Sequence, residues 1–249
     1  MDLGLYPYKI MCVQGIIPVP HAKRLEYAKK VIAHAGADET FWTTIIMSDY
    51  AHFTLCGSVN RQNLRFYAKT NPQIVHEQPL HDAKVTVWCG VSAKRVIGPY
   101  FFENAKGVII NGDRYRQMIR EFLLPQVRRY RMRNYWFQQD GATSNSAGET
   151  MNLLNEHFPG RIISRYADFA WPPCSPDLTV PDFFLWGYLK SKVYTNAPKT
   201  LAELKTNITD EIQKITPAML KKVMENAHKR AIDCVQAKGG HLRDILFRT

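Results

Sequence analysis

Asn134-Tyr135-Trp136-Phe137-Gln138-Gln139-Asp140-Gly141 reads as a strand that runs into an acid and a turn glycine. Its aromatic residues suit a pleated, half-buried surface, and Asp-Gly ends it. Phe41-Trp42-Thr43-Thr44-Ile45-Ile46-Met47 has the same character and is expected to end as a strand at Ser48-Asp49. A third strand is predicted over 84–91, where Val85, Val87 and Cys89 alternate with Thr86 and Trp88. Shorter strands are expected near 63–68 and over 161–165. Residues 1–20 read as extended or turning, with Gly4, Pro7, Gly15, Pro18 and Pro20.

Helical spacing fills the gaps between these strands. Leu25, Ala28, Val31 and Ile32 share a face over 21–34, and Met118, Ile119, Phe122 and Leu123 do so over 114–129. Helices are also predicted over 147–157 and 182–194. Residues 167–181 carry Pro172, Pro173, Pro176 and Pro181, which excludes regular helix and central strand. Thr200 with Glu203 reads as a capping box, followed by the stripe Leu204, Ile208, Ile212 and Ile215. Thr216-Pro217 starts the last helix, which Gly239-Gly240 ends. The pattern is α/β, and a mixed sheet covered by helices is its natural packing solution.

Composition narrows the function classes. The chain has 249 residues, 45% apolar and 22% charged, which is ordinary for a globular protein. No apolar run approaches the ~20 residues of a membrane span, and the N-terminus lacks the pattern of a secretory signal. The five cysteines, Cys12, Cys56, Cys89, Cys174 and Cys234, are scattered. That argues against a disulfide framework or a zinc site and fits a reducing compartment. A net charge of +11 points to a polyanionic partner.

Three aspartates occupy special places: Asp49 and Asp140 at predicted strand ends, Asp182 at a predicted helix start. Such carboxylates can converge at one sheet edge, where hard oxygen ligands suit Mg²⁺ or Mn²⁺. Each also has a structural reading: Asp49 as a strand-end turn residue, Asp140-Gly141 as a turn dipeptide, Asp182 as an acid at a helix N-terminus.

Several stretches resemble one family. Ser48-Asp49-Tyr50-Ala51-His52-Phe53 resembles the mariner-type transposase motif Ser-Asp-Glu-Ala-His-Phe, and Val59-Asn60-Arg61-Gln62-Asn63 looks like the stretch after it. Gln139-Asp140-Gly141-Ala142-Thr143-Ser144 matches the second catalytic motif. Trp171-Pro172-Pro173-Cys174-Ser175-Pro176-Asp177-Leu178 resembles the family's proline loop. Asp182-Phe183-Phe184-Leu185-Trp186-Gly187-Tyr188-Leu189-Lys190 looks like the third motif, and Gly239-Gly240-His241-Leu242 the C-terminal signature. The matches run in order along nearly the whole chain.

The resemblance implies a ribonuclease H-like fold, a mixed sheet flanked by helices with a helical C-terminal tail. It implies that Asp49, Asp140 and Asp182 are the catalytic acids and bind two Mg²⁺ (or Mn²⁺) ions. Residues 141–181 separate the last two acids, a longer gap than the commonest in the family but one that some branches have. The third acid is expected at Asp182 and not at Asp177, which belongs to the proline loop. Tyr50 stands where the family usually has Glu, Asn145 where it has His, and Pro181 one position late. The expected organisation is a linker remnant over 1–38, a catalytic domain over 39–199 and C-terminal helices over 200–249. Leu3-Gly4-Leu5-Tyr6-Pro7-Tyr8-Lys9 looks like the linker after the family's helix-turn-helix modules, so the expectation is a chain without those modules.

DNA is the implied partner, as transposon ends and target, with action as a homodimer in the nucleus and no membrane. Arg128, Arg129, Arg131 and Arg133 form a basic cluster around Tyr130 and are candidates for contact with the DNA backbone. Trp171 is a candidate clamp on DNA or a second subunit, or a cover for the core. The main reading is a transposase catalytic domain that cleaves and transfers DNA strands, an endonuclease and strand transferase. A catalytically inactive nucleic-acid-binding relic and a general nuclease of the same fold are the alternatives.

Overall fold

The computed structural model describes residues 18–55, 83–102 and 110–242. The expected strand over 63–68, the 59–63 motif, the 3–9 linker, Cys12 and Cys56 lie outside them. Among the described residues, no helix is long and apolar enough to cross a membrane.

Six strands form one mixed sheet: β1 (Ile45–Thr54), β2 (Lys84–Val91), β3 (Val96–Phe102), β4 (Trp136–Gln138), β5 (Ile162–Ser164) and β6 (Phe169–Ala170). Their order is β3-β2-β1-β4-β5-β6. The β1–β2 and β2–β3 pairs are antiparallel, and β1–β4, β4–β5 and β5–β6 are parallel. Alternation along β1 sends Ile45 and Met47 to one face and Ile46 to the other.

Helices cover both faces. Helices α2 (Gly112–Met118), α3 (Leu124–Arg129) and α5 (Gly148–His157) bury Tyr115, Met118, Leu124 and Leu154 with Ile46, Trp88 and Phe137. The turn α4 (Thr143–Ser146) precedes α5. On the other face, α1 (Pro18–Ala37), α6 (Trp186–Lys192), α7 (Leu201–Gln213) and α8 (Pro217–Gln236) bury Val31, Leu189, Ile208 and Leu220 with Ile45, Met47 and Val87. Residues from all three expected segments, 1–38, 39–199 and 200–249, therefore share one core.

Some expectations need correction. Phe41–Thr43 is a 3-10 turn, with the Thr43 and Thr44 N–H groups donating to Thr40 O. The strand begins only at Ile45 and continues through Ser48-Asp49 to Thr54, so Asp49 lies mid-strand. Pairing explains this, because β2 offers partners from Met47 to Thr54 and the ladder outweighs a local polar break. The α1 helix starts at Pro18, inside the stretch read as extended. Val96–Phe102 was not anticipated, since Gly98-Pro99 argues against a strand; as the edge strand, β3 tolerates the missing N–H. Between α2 and α3, Ile119–Leu123 is a π-helical turn just before Pro125, which has no N–H to donate back into the preceding turn. Within 167–181, Phe169–Ala170 makes a short edge strand. Thr200 and Thr216 cap α7 and α8 by accepting from the Glu203 and Met219 N–H groups. The Glu203 carboxylate reaches Lys199 N, one residue further back than a capping box predicts.

One buried ion pair joins three distant segments. The guanidinium of Arg24, fully buried on α1, donates to both carboxylate oxygens of Asp177 at 2.7 and 2.6 Å. Its remaining donors meet Cys174 O, Gly239 O and Gly240 O. Gly239 has φ +83°, and a Cβ there would overlap the His21 carbonyl, so glycine is required at this junction.

Removing one partner strands a buried charge, which costs about 3–5 kcal/mol. Asp177→Ala is expected to lower the melting temperature by about 10 °C. The double variant Arg24→Met/Asp177→Leu is expected to recover most of that loss. Thermal unfolding followed by circular dichroism checks both.

Candidate active site

Strand pairing brings the first two acids level. In the parallel β1–β4 pair, Met47 lies opposite Gln138, and Asp49 and Asp140 each lie two residues further on. Period-two alternation turns Asp49 to the face of Ile45 and Met47. On that face Asp182 enters in a π-helical first turn, Pro181–Leu185, anchored by buried Leu185 and Trp186. All three aspartates line one cavity of about 530 Å³. Trp171, Pro172 and Pro173 form part of its wall, and Lys23, Lys30 and Arg165 bring cations to it.

Each strand acid has an orienting donor. The Trp186 indole Nε1–H donates to Asp49 Oδ2 at 3.0 Å. Asp140 Oδ1 accepts from Asn145 Nδ2 at 2.6 Å and from Ala142 N at 3.2 Å. The loop carrying Asp140 is itself fixed by buried Gln139. Its amide accepts from Tyr115 Oη at 2.9 Å and donates to Asn145 O at 2.7 Å and Ser164 Oγ at 3.1 Å. Gln139, Tyr115, Asn145, Trp186 and Lys190 were not anticipated in these roles. Gln139, Trp186 and Lys190 lie inside the quoted motifs and Asn145 directly after one, and only that placement could have pointed to them.

The electrostatics are those of crowded carboxylates. Burial, then the charge of Asp182, raises Asp49 well above the ordinary carboxylate range, although the Trp186 N–H opposes this. Burial, then the charge of Asp140, pushes Asp182 up to about 6, with Lys190 pulling the other way. Burial and the charges of Asp140 and Asp49 also raise the Tyr50 phenol.

The donor set is three hard oxygen groups whose mutual repulsion a divalent cation would relieve. As placed, no three His, Cys, Asp or Glu side chains among the described residues close on a single point as ligands would. Asp177 takes no part in this repertoire of ligands, because both its oxygens are held by Arg24. Trp171 is 6% exposed and packs edge-on against Tyr27, with ring centroids 4.9 Å apart. It covers the core, with only its edge in the cavity wall. Arg128, Arg129, Arg131 and Arg133 are exposed and do not line the cavity.

No protein-family model matches the chain. The Tc3 transposable-element transposase of Caenorhabditis elegans is 27% identical over 222 residues, covering 87% of this chain and 61% of that protein. The chain thus spans about three fifths of the length of this relative. The Mos1 transposase paired-end complex superposes with a TM-score of 0.79 over 97% of this chain and 69% of that one, at 16% identity. The Mos1 catalytic domain solved with raltegravir and Mg gives 0.72 over 92% of this chain and 100% of that domain, at 15% identity. The fold is that of the Mos1 transposase catalytic domain.

The metal-free carboxylate cluster makes a pH prediction. Asp182 titrates near 6 when folded against 3.8 in its unperturbed state, worth on the order of 3 kcal/mol. A raised carboxylate stabilises the fold below its unfolded pKa and loses that contribution as pH rises through the folded value. In EDTA, Asp182→Asn is therefore expected to melt above the parent chain at pH 7, with the gap closing towards pH 4. A gap that stays constant with pH would rule out this coupling.

Proposed function

We propose that this chain is the catalytic part of a DNA transposase. It hydrolyses a DNA strand at a transposon end and joins the freed 3′-hydroxyl to target DNA. The observation that carries this reading is the convergence of Asp49, Asp140 and Asp182 in one cavity of a mariner-type fold. The similar Mos1 structures include a complex with a transposon end, a strand-transfer complex, and structures with Mg or Mn. They support DNA as the substrate here, a divalent metal as the cofactor, and two copies acting on paired ends.

Asp49, Asp140 and Asp182 would hold two Mg²⁺ or Mn²⁺ ions. Bound there, such ions would polarise the scissile phosphate and stabilise charge on the attacking and leaving oxygens. The chain's own residues do the positioning. Trp186 fixes the rotamer of Asp49, and Asn145 with the Ala142 N–H fixes that of Asp140. Lys23, Lys30 and Arg165 supply positive charge where a phosphodiester would enter the cavity. Both reactions are in-line displacements at phosphorus by an oxygen nucleophile, water first and the 3′-hydroxyl second, so no covalent link between protein and DNA is needed. Orientation in a partly closed cavity, rather than an activated side-chain nucleophile, is the protein's contribution.

A second reading, a nucleic-acid-binding relic without catalysis, draws on the failure of three ligands to close on one point. Calorimetric titration with Mn²⁺ separates the two. Saturable binding is expected for the parent chain, and Asp140→Ala is expected to abolish it, along with Mn²⁺-dependent nicking of supercoiled DNA. Equal heats from both proteins would overturn the transposase reading in favour of the relic.

A further inference from the structure

The basic cluster at 128–133 lies away from the three aspartates. Asp140 stands beyond the C-terminal end of β4, whereas Arg128–Arg133 precedes its N-terminal end at Trp136. Four residues of extended chain separate Trp136 from Asp140, about 13 Å. The β2–β3 turn arrives at the same far edge. Asp49 faces Cys89 in the antiparallel β1–β2 pair, and Met47 faces Val91. Lys94 and Arg95 therefore continue towards the start of β1, which pairs with Trp136.

The two segments meet there. The Arg95 guanidinium lies 3.5 Å from the ring centroid of Tyr130, and the Arg129 guanidinium 5.6 Å from it. Cation–π contact thus fixes a tyrosine between two arginines from separate parts of the chain. Met132 and Tyr135, each 6% exposed, anchor the loop in the core. Arg131 and Asn134 take left-handed backbone at φ 50° and 61°, which turns the chain between these anchors. Lys94, Arg128, Arg129, Arg131 and Arg133 are all exposed. Among the described residues, no carboxylate pairs with any of these five or with Arg95.

A rigidly anchored group of six unpaired cations is costly in self-repulsion unless a polyanion neutralises it. We infer that the Arg95–Tyr130–Arg129 stack, with Lys94, Arg128, Arg131 and Arg133, is a second DNA-binding site for duplex backbone, separate from the cleavage cavity. It holds phosphates rather than bases, because its donors are cations at the C-terminal end of α3, in the loop after it and in the β2–β3 turn. The class of ligand rests on the proposed action on DNA; the site itself rests on the geometry of this far edge. It would grip duplex flanking the segment held at the aspartates, or the second duplex of a strand-transfer reaction.

The test uses the whole chain, EDTA and a fluorescein-labelled duplex of arbitrary sequence, read by anisotropy over a range of salt. The triple variant Arg95→Ala/Arg129→Ala/Arg131→Ala is expected to bind at least about tenfold more weakly, with the salt slope reduced by about 2–3. A charge-matched variant on the exposed face of α8, Lys221→Ala/Lys222→Ala/Lys229→Ala, is expected to lose much less. Equal losses in the two triples, or no loss in the first, would overturn the site. Circular dichroism confirms that each variant folds. Failure of Mn²⁺ binding by the parent chain would sink the catalytic reading alone, and an unchanged salt slope would sink this one alone.

Discussion

Parallel pairing of β1 with β4, in the register that sets Met47 against Gln138, is the constraint on which the rest of the structure depends. It places Asp49 and Asp140 at one level. A slip of one residue would send one of them to the opposite face of the sheet. Both neighbours hold the register. The antiparallel β2 ladder extends β1 past the polar Ser48-Asp49 pair, and Ser48 Oγ donates to Gln138 O at 2.8 Å across the parallel pair. Apolar burial on both faces of β1 then makes any other register expensive.

The third acid arrives by a different device. Asp182 cannot reach the sheet unless the proline loop before it is held in place, and the buried Arg24–Asp177 pair does this. By tying the loop to the start of α1 and to the glycine pair after α8, it closes the helical face over the cavity. A buried ion pair is weak evidence for added stability compared with apolar residues of the same shape. Its value here is directional: five guanidinium donors with five fixed acceptors permit one arrangement of three segments that are far apart in sequence. Asp177 and Asp182 are only five residues apart, yet one is neutralised by a permanent cation and the other left in a cluster of like charge.

That cluster stores unfavourable energy in the metal-free chain, as binding sites commonly do. The surrounding donors limit its size: Trp186 to Asp49, Asn145 and Ala142 to Asp140, the charge of Lys190 near Asp182. At the opposite edge the charge problem has the other sign, with six cations and, among the described residues, no carboxylate partner. The molecule is thus electrostatically unfinished at two places, one suited to cations and one to phosphates, on opposite ends of the same strands.

The sequence by itself determined the α/β class and most helix positions, because apolar periodicity is a local signal, and its short motifs singled out three aspartates that the fold brings to one cavity. It marked Asp182 over Asp177 through its place in a motif. It misplaced the start and end of β1, missed β3 and left Trp171 open between clamp and core. Those outcomes depend on partners distant in the chain: β2 extends β1 past a polar break, the sheet edge tolerates Pro99, and Tyr27 buries Trp171. Only the tertiary structure decided the orienting roles of Trp186, Asn145 and Gln139, since a hydrogen bond between residues 137 apart leaves no periodic trace. The same holds for the union of Arg95 with the 128–133 cluster, which sequence showed as one basic run and the sheet topology turned into a composite surface.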